Sequence, residues 1–259
     1  GKINSRFPVK YNDEISIIGS EFNNMIDNIQ HLQLDIVQLK LHQREAELHA
    51  LQSQINPHFL YNTLETIRMV AIDGKTEAVS EQIQSLSDMF HYTVSSTGIN
   101  ELVYIWQEID HVYSYLKIQN FRFADRFDVQ VHIDEAILSY KTLKLILQPI
   151  VENAFMHGVH SMKHGGRIYV SGWSENGNVY LCVSDNGVGI SDESLAKLRK
   201  ELSATPYEPR IKDSIGFINV NDRLKLSFGE QYVLDIDSKL DKGTTVTIKI
   251  PIMGDDSNS

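Results

Sequence analysis

The sequence predicts an α+β protein, with a long amino-terminal helix and a helical hairpin followed by helices packed on a mostly antiparallel sheet. Three observations lead there. Heptad-spaced apolar residues run through 15–55, and a second set at helical spacing runs through 79–94. Period-two alternation begins only beyond residue 128. Apolar residues make up 42% and charged residues 22% of 259, as in an ordinary folded chain of about two domains.

Taken in order, Ile15, Ile18, Phe22, Met25, Ile29, Leu32, Ile36 and Leu39 recur at alternating steps of three and four. A second stripe (Leu34, Val37, Leu41, Leu48, Leu51, Ile55) widens the apolar face. A stripe this long predicts a coiled coil, and its width suits a four-helix bundle. Asp73-Gly74 predicts a turn. Val79, Ile83, Leu86, Phe90 and Val94 then predict a second helix, completing a dimeric hairpin over about 45–97 that ends at Ser95–Gly98. Helices are expected at about 107–123, 140–157 and 216–228, and strands around Val129–Ile133, Arg167–Trp173, Val179–Ser184, 231–237 and 244–250. Asn176-Gly177 marks a hairpin between two of these strands. Ser191–Asp213 shows weak periodicity and mixed charge, and is expected to be a mobile lid.

The net charge is −10 and there is no long basic run, so direct nucleic-acid binding is not expected. A single cysteine, Cys182, excludes an intrachain disulfide and suits a reducing compartment. No apolar run approaches the roughly 20 residues that span a bilayer. The start at Gly1-Lys2 suggests a piece of a longer chain whose upstream membrane segment is missing.

Three separated segments carry the chemistry of the carboxyl-terminal half. Leu147–Ala154 sets Glu152 beside Asn153 on a helix. An asparagine oxygen is a hard ligand suited to Mg²⁺ alongside phosphate oxygens, and is equally suited to a buried hydrogen bond. Asp185-Asn186-Gly187-Val188-Gly189 follows a strand. A carboxylate there can accept from an adenine amino group, while the glycines let backbone approach a flat ring; the same run is also ordinary turn chemistry. Gly216 opens a helix, where free N–H groups suit phosphate. Gly243-Thr244-Thr245 would add a wall of small residues.

In this order the segments resemble the N, G1 and G2 boxes of the GHKL ATP-binding fold, an α/β sandwich, over roughly residues 105–252. The resemblance implies ATP with Mg²⁺ held by Asn153, adenine read by Asp185, and a pocket shaped by Gly187, Gly189 and Gly216, with Thr245 beside it. Ser214 departs from the glycine common in the G2 box.

The amino-terminal half offers an acceptor. Among ten histidines, His58 alone directly follows a proline inside a helical pattern. Either Pro57 bends a continuing helix, or Asn56 caps a fresh helix with Pro57 at its first position. Both place the imidazole at a distortion, and a neutral imidazole nitrogen is a competent nucleophile. Asn62 lies one turn on, able to position the ring or a water. His157, His160 and His164 have the spacing of a metal cluster, but Gly158, Gly165 and Gly166 disfavour a single helical face there. His157 is expected to close the Asn153 helix instead.

The run Gln54–Leu64 resembles the phosphoacceptor box of the LytS/YesM-like branch of sensor histidine kinases, and residues 13–30 resemble the second helix of a HAMP linker. These resemblances imply a partial HAMP linker at 1–32, a dimerisation and phosphotransfer hairpin at 33–100, an ATP-binding domain at 101–254 and a disordered tail at 255–259. They imply a homodimer phosphorylated on His58, passing phosphoryl to the receiver domain of a response regulator. They also imply a bacterial cell membrane for the whole protein, with this part on the cytoplasmic side. In the commoner kinase branch an acidic residue follows the histidine as base; here Phe59 follows, which leaves Glu152 as a candidate base, and Asn62 is a candidate for the reverse, phosphatase role. A GHKL-type ATPase and a non-catalytic nucleotide-binding scaffold are the alternatives.

Overall fold

The computed structural model describes residues 18, 21–28, 57–95, 101–123, 126–162, 164–203 and 215–253. The chain divides into two compact units, 1–61 and 62–259. Within the first, residues 21–28 are helical (α1), with Phe22 and Met25 exposed. The expected heptad stretch over 29–56, Asn56 and the tail at 255–259 lie outside the described residues, as does Ser214. No helix among the described residues is long and apolar enough to cross a membrane.

Helix α2 (Pro57–Ile72) ends at the Asp73-Gly74 turn, where Gly74 takes φ +73° and Gly74 N–H donates to the Ala71 carbonyl. Helix α3 (Thr76–Val94) follows. Its inward face differs from the predicted stripe. Gln82, Ser85, Leu86, Met89 and Thr93 are buried, whereas Ile83 and Val94 are 53% and 63% exposed. The mixed polar face packs on α4 (Ile105–Arg122), leaving part of the apolar stripe outward. Helix α4 buries Ile105, Glu108, Val112, Tyr115, Leu116 and Gln119 at helical spacing.

The five-stranded sheet has the order β2 (Phe127–Ile133), β4 (Gly166–Glu175), β5 (Asn178–Asp185), β7 (Gly243–Pro251), β6 (Leu234–Lys239). Only the β2–β4 pair is parallel. One face is apolar at every second residue, with Ile168 and Val170, Leu181 and Val183, and Val246 and Ile248 buried. Burying each such side chain contributes about 1.5–3 kcal/mol. The β4–β5 hairpin turns on Asn176 (φ +50°) and Gly177 (φ +76°), the pair of left-handed residues that a type I′ turn requires.

One further expectation fails. The helix predicted over 140–157 is divided: β3 (Lys141–Leu143) pairs antiparallel with β1 (Leu102–Tyr104), a turn follows, and only then α5 (Gln148–Asn153) begins. Pro149 suits that first turn, since its missing N–H has no intrahelical partner there anyway. A π-helical turn, Ala154–Val159, extends α5, and His157 lies in its last turn. The expected lid is α6 (Asp192–Ser203) over its first half, while 204–214 lie outside the described residues. Leu195, Leu198 and Leu202 anchor α6 to the core. Lys225 Nζ and Asn221 Nδ2, both from α7 (Ile215–Phe228), donate to the Leu202 carbonyl at 2.8 and 2.9 Å and satisfy its open end.

Candidate functional site

The carboxyl end of β5, the amino end of β7 and the helices over them enclose a cavity of about 280 Å³. Its polar lining is Asn153, His157, Asp185, Ser194 and Thr244, and Ile150, Val183, Ile190, Phe217 and Val246 form much of its apolar wall. A mainly apolar cavity with a few fixed polar groups is suited to a flat heterocycle.

Asp185 ends β5 and is 8% exposed. Its Oδ1 accepts the Gly187 N–H at 2.8 Å, which tightens the turn after the strand. Burial pushes the Asp185 carboxyl above its usual range, opposed by backbone donors at Gly187 and Thr244. The surrounding backbone comes unusually close. A Cβ on Gly158 would lie 2.6 Å from Asp185 Oδ1, and one on Gly187 would collide with the Gly158 backbone. Gly189 takes φ +66° and has the Lys239 carbonyl where a side chain would go.

Asn153 is the last residue of α5. Gly216, in the first turn of α7, faces it so closely that a Cβ there would lie 3.0 Å from Asn153 Nδ2. The missing side chain leaves the carboxamide able to reach the cavity. Among the described residues no group of three His, Cys, Asp or Glu side chains could hold a metal. A hard cation here would therefore depend on the Asn153 oxygen and on phosphate oxygens, the arrangement Mg²⁺ favours.

Asn153, Asp185 and Gly189 thus line one cavity, with Gly187 and Gly216 packed immediately behind it. Four other sequence candidates are not in its lining. Thr245 points to the opposite sheet face, where its hydroxyl pairs with Ser184 Oγ at 2.8 Å, and Thr244 lines the cavity in its place. Glu152 is not in the lining; its Oε1 accepts from Gln148 Nε2 at 2.7 Å, and Gln148 Oε1 lies 2.5 Å from His111 Nε2 of α4. Burial pushes the Glu152 carboxyl up, with the Gln148 donor opposing. His58 and Asn62 both lie on α2; His58 is exposed, and the Asn62 carbonyl accepts from Thr66 Oγ1 at 2.9 Å.

Neither composition nor periodicity signals the support beneath α5. Glu108 is fully buried, and its Oε1 accepts from Leu145 N–H at 2.6 Å, its Oε2 from Ile146 and Leu147 N–H at 2.9 and 3.1 Å. A carboxylate on the open amides before a helix is favourable in both charge and hydrogen bonding. Arg223 of α7 holds the same turn by its carbonyls, donating to Lys144 O at 2.6 Å and Leu145 O at 3.3 Å. Leu145 takes φ +56°, a conformation that costs about 1–3 kcal/mol in a non-glycine residue. These contacts hold it there.

Sequence comparison agrees with this geometry. The family model described as "Histidine kinase" matches residues 46–127, and that described as "Histidine kinase-, DNA gyrase B-, and HSP90-like ATPase" matches 139–253. Over these two regions the chain is similar to histidine kinases. It is 34% identical over 244 residues to the sensor histidine kinase YesM of Bacillus subtilis, covering 94% of this chain and 40% of YesM. It is 30% identical over 210 residues to the sensor protein LytS of the same organism, covering 81% of this chain and 34% of LytS. Against the sensor protein kinase HptS of Staphylococcus aureus it is 27% identical over 245 residues, covering 95% of this chain and 46% of HptS. The chain therefore spans less than half the length of these relatives. The second family model covers the cavity and the first covers the helix bearing His58.

Proposed function

We propose that this chain is the kinase core of a two-component sensor, binding Mg·ATP in the cavity and transferring its γ-phosphoryl group to His58. The observation that carries this reading is the convergence of Asn153, Asp185 and Gly189, from segments far apart in sequence, on one mostly apolar cavity. Asp185 accepts from the adenine amino group, and the closely packed glycines admit the ring. Asn153 would hold Mg²⁺ by its side-chain oxygen, and the ion would supply positive charge beside the phosphoryl oxygens. A lone pair on a His58 ring nitrogen attacks the γ-phosphorus in line. An N–P bond forms, the bond to the bridging oxygen breaks, ADP leaves, and the imidazole releases its proton to solvent or base. The phosphoryl group then moves to an aspartate of a response regulator.

The exposed apolar side chains of the helical hairpin support a second copy as partner. Leu64, Met69 and Ile72 of α2 and Ile83 and Val94 of α3 are all about half exposed or more. Such residues on paired helices are what a four-helix dimer would cover. The similarity to named sensor kinases supports an upstream membrane sensor in the whole protein.

The test is incubation with [γ-³²P]ATP followed by acid and alkali treatment. Label lost in acid and retained in base is the expected result. Free phosphate without labelled protein would favour an ATPase, and nucleotide binding without turnover would favour a scaffold.

A further inference from the structure

We infer that Glu108 is a positioning residue for the nucleotide site, and that the Tyr92 hydroxyl joins it to α3, so that the placement of α3 sets the placement of Asn153. This rests on the reading of Asn153 as a nucleotide-site residue.

The Tyr92 hydroxyl donates to Glu108 Oε1 at 2.5 Å, the same oxygen that accepts from Leu145 N–H. Glu108 is 0% exposed, so no solvent competes for these donors. One carboxylate therefore links the hairpin's second helix to the three amides just before α5. The path from Tyr92 to Asn153 is then a single hydrogen-bonded turn and the short helix that Asn153 ends.

A second string starts from the same residue. The Tyr92 ring packs against His111, with centroids 4.7 Å apart. His111 Nε2 meets Gln148 Oε1, and Gln148 Nε2 donates to Glu152, the neighbour of Asn153. Because Gln148 uses its amide nitrogen on Glu152, its oxygen is the acceptor, and His111 Nε2 carries the proton in this arrangement. Burial lowers the His111 pKa, consistent with a neutral ring. The end of α3 is tied a third time, since Lys144 Nζ reaches Ser95 Oγ at 3.2 Å and Glu101 Oε2 at 3.4 Å. Lys144 also stands over the Tyr92 ring, 4.9 Å from its centroid.

The turn that receives these contacts contains Leu145 at positive φ, an arrangement that exists only while its surroundings enforce it. Arg223 grips it from α7, the helix that carries Gly216. Displacement of α3 would thus reach α5 directly through Glu108, and the opposite wall of the cavity through Arg223.

The test uses Tyr92→Phe, which removes one hydroxyl and keeps the ring, beside Glu108→Gln and the double variant. ATP affinity is measured with Mg²⁺ and with EDTA, and the Asn153 side-chain amide is followed by ¹⁵N NMR without nucleotide. The expected result is a loss of about three- to tenfold in the Mg²⁺-dependent enhancement for Tyr92→Phe, and a larger loss for Glu108→Gln, with affinity in EDTA within about twofold. The double variant should be no worse than Glu108→Gln, and the Asn153 amide should shift in all three. A merely structural role would weaken both affinities together and leave the ratio unchanged. An unshifted Asn153 amide and an unchanged ratio in Tyr92→Phe would overturn the inference, even if Glu108→Gln fails to fold. If the unaltered chain shows no Mg²⁺-dependent binding, the functional reading falls, while the Asn153 resonance still decides whether Tyr92 positions it.

Discussion

The nucleotide cavity and the helix bearing His58 are built on opposite plans. Every important group of the cavity reaches it by tertiary structure: Asp185 from a strand end, Asn153 from a short helix, Gly216 from another helix. None has its proposed role without the others. His58 depends on its own neighbourhood, a proline before it and an exposed helical face. A binding site needs several groups held together against chain entropy, whereas an acceptor needs one accessible nucleophile. The cavity half should therefore fail by degrees when altered, and the acceptor half all at once.

The largest expected effect follows directly. His58→Gln should abolish phosphohistidine while leaving ATP affinity within about twofold, because a substitution at an exposed helical site disturbs little packing. Residual label at an unaltered level would erase the contrast between the halves. Next comes Gly158→Ala. Its methyl would meet the Asp185 carboxylate 2.6 Å away, so ATP affinity should fall by about tenfold or more, read by calorimetry. Asn153→Asp should have a comparable effect concentrated in Mg²⁺-dependent affinity.

A smaller effect concerns pH. Burial raises the Asp185 pKa above the ordinary aspartate range, so the site takes up its proton at a higher pH than an exposed aspartate would. Protonation would remove the acceptor proposed for the adenine amino group. Adenosine affinity should accordingly weaken as pH falls through the raised midpoint, and ¹³C titration of the Asp185 carboxyl should locate that midpoint. A midpoint at or below the ordinary value would contradict the burial argument. The smallest effect is expected at Thr245→Ala, which faces away from the cavity and should change nucleotide affinity by less than about twofold. Thr244→Ala should change it more.

Local signals explain what could be read from the sequence. Asn176-Gly177 specifies a hairpin because both residues tolerate positive φ. The Asp185–Gly189 run marked the end of β5, and the residues after Gly216 kept a helical period. The failures have equally local causes. Strands β1 and β3 are three residues each, too short for alternation to register. Leu195, Leu198 and Leu202 did have helical spacing, but the charged residues among them masked it. Thr244 and Thr245 differ by one strand position, and only the pairing register decides which faces the cavity. Glu108 reads as an ordinary surface glutamate on an amphipathic helix, because its partners are backbone amides 37 to 39 residues away. Such partners leave no mark in composition or period.

The most direct measurement is residue-level mapping of the phosphorylated site. The chain is incubated with Mg·ATP, quenched at alkaline pH and digested, and the modified residue is located by electron-transfer mass spectrometry. One phosphoryl group is expected, on His58, dependent on Asn153. A phosphoryl group on another residue, or none while ATP is bound in the cavity, would contradict it.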